Sequence, residues 1–256
     1  RPKITGSLDR APGKQFDFVM TNPPYVTRGT GTQRDFLREH QGYYSIPGSG
    51  IENLFIQLVV NGLKPGCRAL MIVPDGLLLR HSEDRLREFI LAECTLEAVI
   101  SLPANAFYST PKRTYILIVR KKQQPGDVQT TPVFSYLVSN IGETLDAKRF
   151  VIPDNDLPGM SAEFKLFQGN PSAFKCDDPR CRIFPLSKFR PDDHWLVNKW
   201  WPLEERERLG DVEAECFVGA GELSALLSSA ASTLNKHAQA LAVVEKAAPA
   251  RRTVEL

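Results

Sequence analysis

The sequence predicts an α/β fold: half of an open, doubly wound sheet that carries a mixed, partly helical C-terminal extension. Three observations predict it. Phe16 to Met20 is a short β-prone run that stops at two prolines. Apolar runs recur at 68–74, 96–102 and 114–119, and segments of helical spacing fill the first two gaps. The resulting order of strand, helix, strand, helix, strand, strand suits right-handed crossovers onto one sheet.

The first strand reads as a buried parallel strand, apolar except for Asp17. Residues 1–14 before it are basic and unpatterned, a loop or linker. Residues 27–50 are polar, with Arg28, Arg34, Arg38, His40, Tyr43 and Tyr44. They fit either a solvated loop or a contact to phosphate and bases. Leu54, Phe55, Leu58, Val59 and Leu63 fall at helical spacing, and Lys64-Pro65-Gly66 ends that helix. Ser82 is the expected cap of the next helix, running to about Ala92, with Glu83 and Asp84 in its first turn. Val133 to Val138 reads as an added strand, 145–170 as loop-rich, and 176–201 as aromatic and charged. Trp195, Trp200 and Trp201 fit packing on the sheet domain better than stacking on DNA. In the tail, Leu223, Leu227, Ala230, Leu234, His237, Leu241 and Val244 alternate as a and d positions of a heptad. The boundaries expected from this pattern are 1–122 for the catalytic sheet, 123–210 for a loop-rich extension and 211–256 for a helical, coiled-coil-like arm.

Composition narrows the function classes. Hydrophobic residues make up 42% of the 256, enough for a core. The net charge of +2 excludes a globally basic nucleic-acid binder, so any such contact must be a local patch. The five cysteines (Cys67, Cys94, Cys176, Cys181, Cys216) are odd in number and scattered, which favours a reducing, cytoplasmic setting over a disulfide framework. Cys176 and Cys181 lack a second pair or nearby histidines, so no metal site is expected. No apolar run reaches membrane-spanning length and no signal peptide is visible.

The chemistry concentrates in Asn22-Pro23-Pro24-Tyr25 at the end of the first strand. Asn22 precedes a proline and is pushed to an extended conformation, so the turn has little freedom. Carboxyl ends of strands are where open α/β sheets place ligands. An aromatic amino nitrogen must pyramidalise to attack a methyl donor, and two acceptors aimed at its hydrogens favour that change. The Asn22 amide oxygen and the Pro23 carbonyl both accept without needing deprotonation. Tyr25 offers a flat ring to hold the base, and Pro24 stiffens the turn. A bare proline-rich turn closing a strand is the alternative reading of the same four residues.

The segment resembles motif IV of S-adenosylmethionine-dependent amino-group methyltransferases. The stretch after it is similar to the adenine-N6 DNA methyltransferases, particularly type I modification subunits and fused restriction–modification enzymes. Leu63-Lys64-Pro65-Gly66 and Val73-Pro74-Asp75-Gly76-Leu77-Leu78 look like their motifs V and VI. Asn105-Ala106-Phe107, Lys112-Arg113-Thr114 and the strand after them look like motifs VII and VIII. The resemblance covers 16–122, about half of the chain. It implies a Rossmann-like class I methyltransferase sheet and S-adenosyl-L-methionine as cofactor. It also implies a flipped-out adenine of double-stranded DNA as substrate, sandwiched by Tyr25 and Phe107, with Tyr108 the neighbouring alternative.

The family places its glycine-rich cofactor motif before motif IV. Nothing ahead of Asn22 fits it, so the main cofactor motif is expected to precede Arg1, with the chain beginning midway through the catalytic domain. No cofactor-binding residue is assigned. The same resemblance favours reading the 223–244 helix as a dock for a specificity subunit or target-recognition domain, against a helix packed on its own domain. Two other readings stay open: a release-factor glutamine N5-methyltransferase, whose amide nitrogen poses the same problem, and a truncated, non-catalytic scaffold. N4-cytosine methylation is disfavoured, because that group usually has Ser before the prolines.

Overall fold

The computed structural model describes residues 8, 13–25, 43–46, 50–108, 110–124, 126–212 and 227–238. Arg1 lies outside the described residues, and so do most of 2–12, so the expectation that the cofactor motif precedes Arg1 has no structural counterpart here. The expectations placed on 26–42, on 47–49 and on Cys216, Leu223, Leu241 and Val244 also lie outside the described residues. Residues 1–212 make one compact unit and 213–256 another.

In the first unit, strand β1 (Phe16–Thr21) leads to helix α1 (Ile51–Gly62) and strand β2 (Leu63–Pro74). Helix α2 (Asp75–Leu79) and α3 (Asp84–Glu93) precede β3 (Cys94–Ser101) and β4 (Thr114–Lys121). Then come β5 (Val133–Leu137), β6 (Ile141–Glu143), β7 (Val151–Asn155), α4 (Leu157–Gly169), β8 (Cys181–Phe184) and α5 (Leu203–Arg208). Six strands form one sheet in the order β1-β2-β4-β3-β5-β8, and β6 and β7 form a separate hairpin.

The α/β sheet is as expected, but it is mixed. β1 runs parallel to β2 and β3 parallel to β5, while β4 lies antiparallel between β2 and β3. A loop of residues 102–113 reverses the chain after β3, and β4 fills the slot between two strands that a helical crossover had left apart. Sheet hydrogen bonding continues past residue 122, since β5 and β8 extend it.

Alternation along β2 explains the two cores. Ala69, Met71 and Val73 face a layer built from α1, α2, α3 and the 195–201 segment, and Leu70 and Ile72 face the other side. There the aromatic residues of α4, Phe164 and Phe167, pack against Phe134. Both faces are therefore covered.

Several expectations need correcting. β1 is not buried: Phe18 is 55% and Met20 72% exposed, and among the described residues β2 is its only partner in the sheet. Ser82 does not cap α3. It sits in a 3-10 turn, His81–Glu83, which moves the helix start to Asp84 with no side-chain cap. The stretch 145–170 is not loop-rich but holds β7 and α4. Pro158 opens that helix, and Met160, Phe164 and Phe167 give it an apolar stripe. Tyr44 is not a surface aromatic. It is buried, and its hydroxyl donates to the Leu8 carbonyl at 2.9 Å. The tryptophans, by contrast, pack on the sheet domain as expected: Trp195 and Trp201 are core residues, with Trp195 Nε1 donating to the Arg190 carbonyl.

In the second unit, the described residues 227–238 are helical up to 238, and Leu227 and Leu234 are exposed on them. Among the described residues, no helix is long and apolar enough to cross a membrane.

Candidate active site

The register sets one rim of the sheet. Thr21 pairs with Met71, Pro74 with Thr114, and Ser101 with both Tyr115 and Leu137. The carboxyl ends of β1, β2, β3 and β5 and the start of β4 therefore lie along the same edge. Asn22–Tyr25, Asp75–Gly76, Asn105–Phe107 and Lys112–Arg113 all project from it, as the strand ends dictate.

Asn22 is exposed, Pro23 buried, Pro24 exposed and Tyr25 half-buried. The Asn22 amide is thus turned outward. Tyr25 Oη donates to Asn22 Oδ1 at 2.5 Å. Among the described residues no donor reaches the carbonyl of the buried Pro23. Burial, reinforced by the charge of Glu52, pushes the Tyr25 phenol well above its ordinary value, so it stays a protonated donor.

Glu52 lies in the first turn of α1, is 6% exposed, and its Oε2 has no hydrogen-bond partner among the described residues. Burial raises its pKa, with Glu83 adding to the effect, against its own backbone N–H and Arg80. Gly50 makes room for that carboxylate: a Cβ there would meet Oε2 at 1.9 Å. A small cavity bounded by Glu52, Asn53, Pro74, Arg80 and Glu83 opens beyond the end of β2. Asn53 Nδ2 donates to Glu83 Oε2 at 2.9 Å and Gln57 Nε2 to Asn53 Oδ1 at 2.5 Å, which fixes the start of α1.

Two arginines brace the rim. Arg87 is fully buried on α3. Its guanidinium donates to the carbonyls of Leu77 (2.9 Å), Arg80 (3.2 Å) and Pro191 (2.8 Å) and pairs with Asp84. Desolvation lowers its pKa, and four nearby carboxylates oppose that. Arg113 donates to Ser101 Oγ (3.0 Å), the Leu102 carbonyl (3.1 Å) and Asp211 Oδ1 (2.6 Å). Asp211 also takes Arg206 Nε at 2.8 Å. The loop between β3 and β4 is thereby anchored at both ends, through a partner 98 residues away that no local pattern announces.

Phe107 is half-buried and packs against the cluster on the α4 face of the sheet. A bridge to Thr110 closes a tight turn around it. Tyr108 is 75% exposed. Among the described residues no ring contact joins Tyr25 to Phe107. The two lie on loops of the same rim. Asn105 holds a left-handed backbone at φ 58°, a strained conformation that clusters at functional sites. Cys176 and Cys181 are free thiols, and among the described residues no group of three or more His, Cys, Asp or Glu could hold a metal ion.

Known proteins resemble this chain in sequence and in fold. The methylase subunit of the type I restriction enzyme StySPI of Salmonella potsdam is 31% identical over 109 residues, 42% of this chain and 19% of that protein. The MjaVIII methylase subunit of Methanocaldococcus jannaschii is 23% identical over 227 residues, 84% of this chain and 37% of its own length. Among solved structures, one from a study of complex assembly and conformational transition in a type I restriction–modification system superposes with a TM-score of 0.56. It is 22% identical, and the match covers 96% of this chain and 49% of that one. The type I methyltransferase subunit of Streptococcus thermophilus gives 0.53 at 20% identity, with 73% of this chain and 40% of that one covered. The chain thus spans less than half the length of each of these relatives. The model of the N-6 DNA methylase family matches residues 5–176, from ahead of β1 to past α4. With the Asn-Pro-Pro-Tyr turn, the proline-ended second strand and the braced β3–β4 loop all inside that match, the chain belongs to the N-6 DNA methylase family.

Proposed function

We propose that this chain carries the amine-binding half of a catalytic centre that methylates the N6 amino group of adenine in double-stranded DNA. The enzyme would be the methylase subunit of a type I restriction–modification system. One observation carries the reading: an outward Asn22 amide and a Pro23 carbonyl with no donor among the described residues stand together at the carboxyl end of β1. They form a pair of acceptors for the two hydrogens of one amine. The names of the relatives, all type I methylase subunits, support the substrate class.

The target base is unreachable inside a duplex and is flipped out at a cost of a few kcal/mol. Tyr25 then leaves Asn22 Oδ1 and lies on one ring face, while Phe107 approaches the other. Asn22 and Pro23 accept the N6 hydrogens and pull the nitrogen lone pair out of conjugation. S-adenosylmethionine, when bound, supplies the methyl group. The described rim offers it no open glycine cradle: Gly50 is filled by the Glu52 carboxylate and Gly76 by the Arg80 guanidinium. None of the described residues is therefore assigned to the cofactor, and every step above belongs to the amine side. The exposed Leu227 and Leu234 of the 227–238 helix suit docking of a specificity subunit or target-recognition domain.

The test is transfer of labelled methyl from S-adenosylmethionine to duplex DNA by the complete enzyme. Asn22→Ala is expected to lower kcat about 100- to 1,000-fold, the usual effect of removing one group that stabilises a transition state. Labelling of release factor instead of DNA would overturn the reading in favour of glutamine methylation.

A further inference from the structure

Beside the rim stands the β6–β7 hairpin, and its tip is built unlike the rest of the surface. Arg149 holds a left-handed backbone at φ 53° and donates its Nη2 to the carbonyl of Asn105, itself left-handed. Two strained residues from segments 44 apart are therefore tied to each other. The Arg149 guanidinium lies 4.7 Å from the centroid of the Tyr108 ring, and its Nε and Nη1 have no acceptor among the described residues. Native proteins rarely leave such donors without a partner. Around them Tyr108 and Phe150 are exposed, with Lys148 Nζ 5.9 Å from the Phe150 ring centroid. Asp146 is exposed on the tip and accepts the backbone N–H groups of Lys148 and Arg149 and the Thr144 hydroxyl, which hold its carboxylate below the ordinary value.

We propose that the 144–150 tip and the 105–108 loop together grip the nucleic-acid strand beside the reacting base, with Arg149 Nε and Nη1 taking a backbone phosphate and Tyr108 stacking on a base. This rests on the DNA reading above and adds a contact to it. A phosphate is acceptor-only and matches a guanidinium edge with two free donors. Exposed rings beside cations are the usual platform for unstacked bases. The site continues the loop that bears Phe107, so a strand held there leads to the clamp. Both donors are shielded from water in this structure, and the phosphate reaches them when the tip shifts. A two-stranded hairpin with an irregular register, outside the main sheet, yields easily.

The experiment measures binding of a labelled duplex carrying the enzyme's own methylation site, by anisotropy over a range of salt, with the complete enzyme. Arg149→Ala is expected to raise Kd about tenfold and to reduce the slope of log Kd against log salt by about one, the signature of one lost phosphate contact. Asn105→Gly relaxes the strained loop without removing a donor, and is expected to bind as wild type. Three results would overturn the proposal: wild-type Kd and slope in Arg149→Ala, an Asn105→Gly defect as large as that of Arg149→Ala with no change of slope, or loss of subunit assembly in place of DNA affinity. Asn22→Ala separates the two readings, since it is expected to bind DNA normally while losing methyl transfer. A wild type that methylates DNA with an indifferent Arg149 would sink only the hairpin contact.

Discussion

At the end of β1 the Tyr25 phenol donates to Asn22 Oδ1, and on the proposed mechanism that bond gives way to the amine of the base. Tyr25→Phe removes that competitor and keeps the ring. Its kcat/KM for methyl transfer is expected to equal or modestly exceed wild type, whereas Tyr25→Ala, lacking the stacking face, should lose about five- to a hundredfold in affinity for the flipped base. Steady-state kinetics on the same duplex distinguishes the two. Glu52 supplies a second prediction at this scale, for stability. Its pKa is raised by burial, so the folded state keeps the proton to higher pH than the unfolded chain. The stability it contributes is present at low pH and is lost as pH rises from the ordinary carboxylate value to the shifted one. Glu52→Gln should match wild type in acid, gain on it through that window and hold a constant lead above it, as read from urea midpoints across the acid-to-neutral range.

At the scale of elements, the rim depends on a buried guanidinium. Arg87 joins α3 to the α2 turn and to the segment carrying Pro191 through three carbonyls and one carboxylate. Arg87→Met leaves those carbonyls without donors, and is expected to destabilise the fold by about 3 kcal/mol, seen as a lower denaturation midpoint. Phe107→Ala tests the β3–β4 loop in another way. Its ring is only partly buried against the α4-side cluster, so the variant should fold. The fluorescence of a 2-aminopurine placed at the target position should then rise, because one stacking face is gone. Which elements were legible depends on the range of the forces that make them. α1, β2 and β3 announce themselves by periodicity within a dozen residues. α4 carried an equally local signal in Pro158 and its aromatic stripe, but it was obscured by the polar residues around it. The placement of β4 between β2 and β3 has no local signal, since strand order is decided by which pairings the connections allow.

For the whole molecule, the exposed face of β1 has a physical consequence. Phe16, Phe18 and Met20 present exposed apolar side chains on a strand that, among the described residues, is paired along one edge. Such an edge templates self-association. The isolated chain is expected to associate with rising concentration, and Met20→Lys to reduce this in light scattering. The amino-acid sequence by itself determined the α/β class, the proline-stopped strand and the rigid Asn-Pro-Pro-Tyr turn, because each arises from backbone restrictions acting over a few residues. It also marked Phe107 as a rim aromatic, through motif order. The tertiary structure alone decided that β1 lies at an edge, that Asp211 anchors Arg113, that Glu52 lies buried with an unsatisfied oxygen, and that Arg149 meets Asn105. Those are encounters between segments tens of residues apart. They are selected by packing and electrostatics in the assembled sheet, and no propensity of the individual segments encodes them.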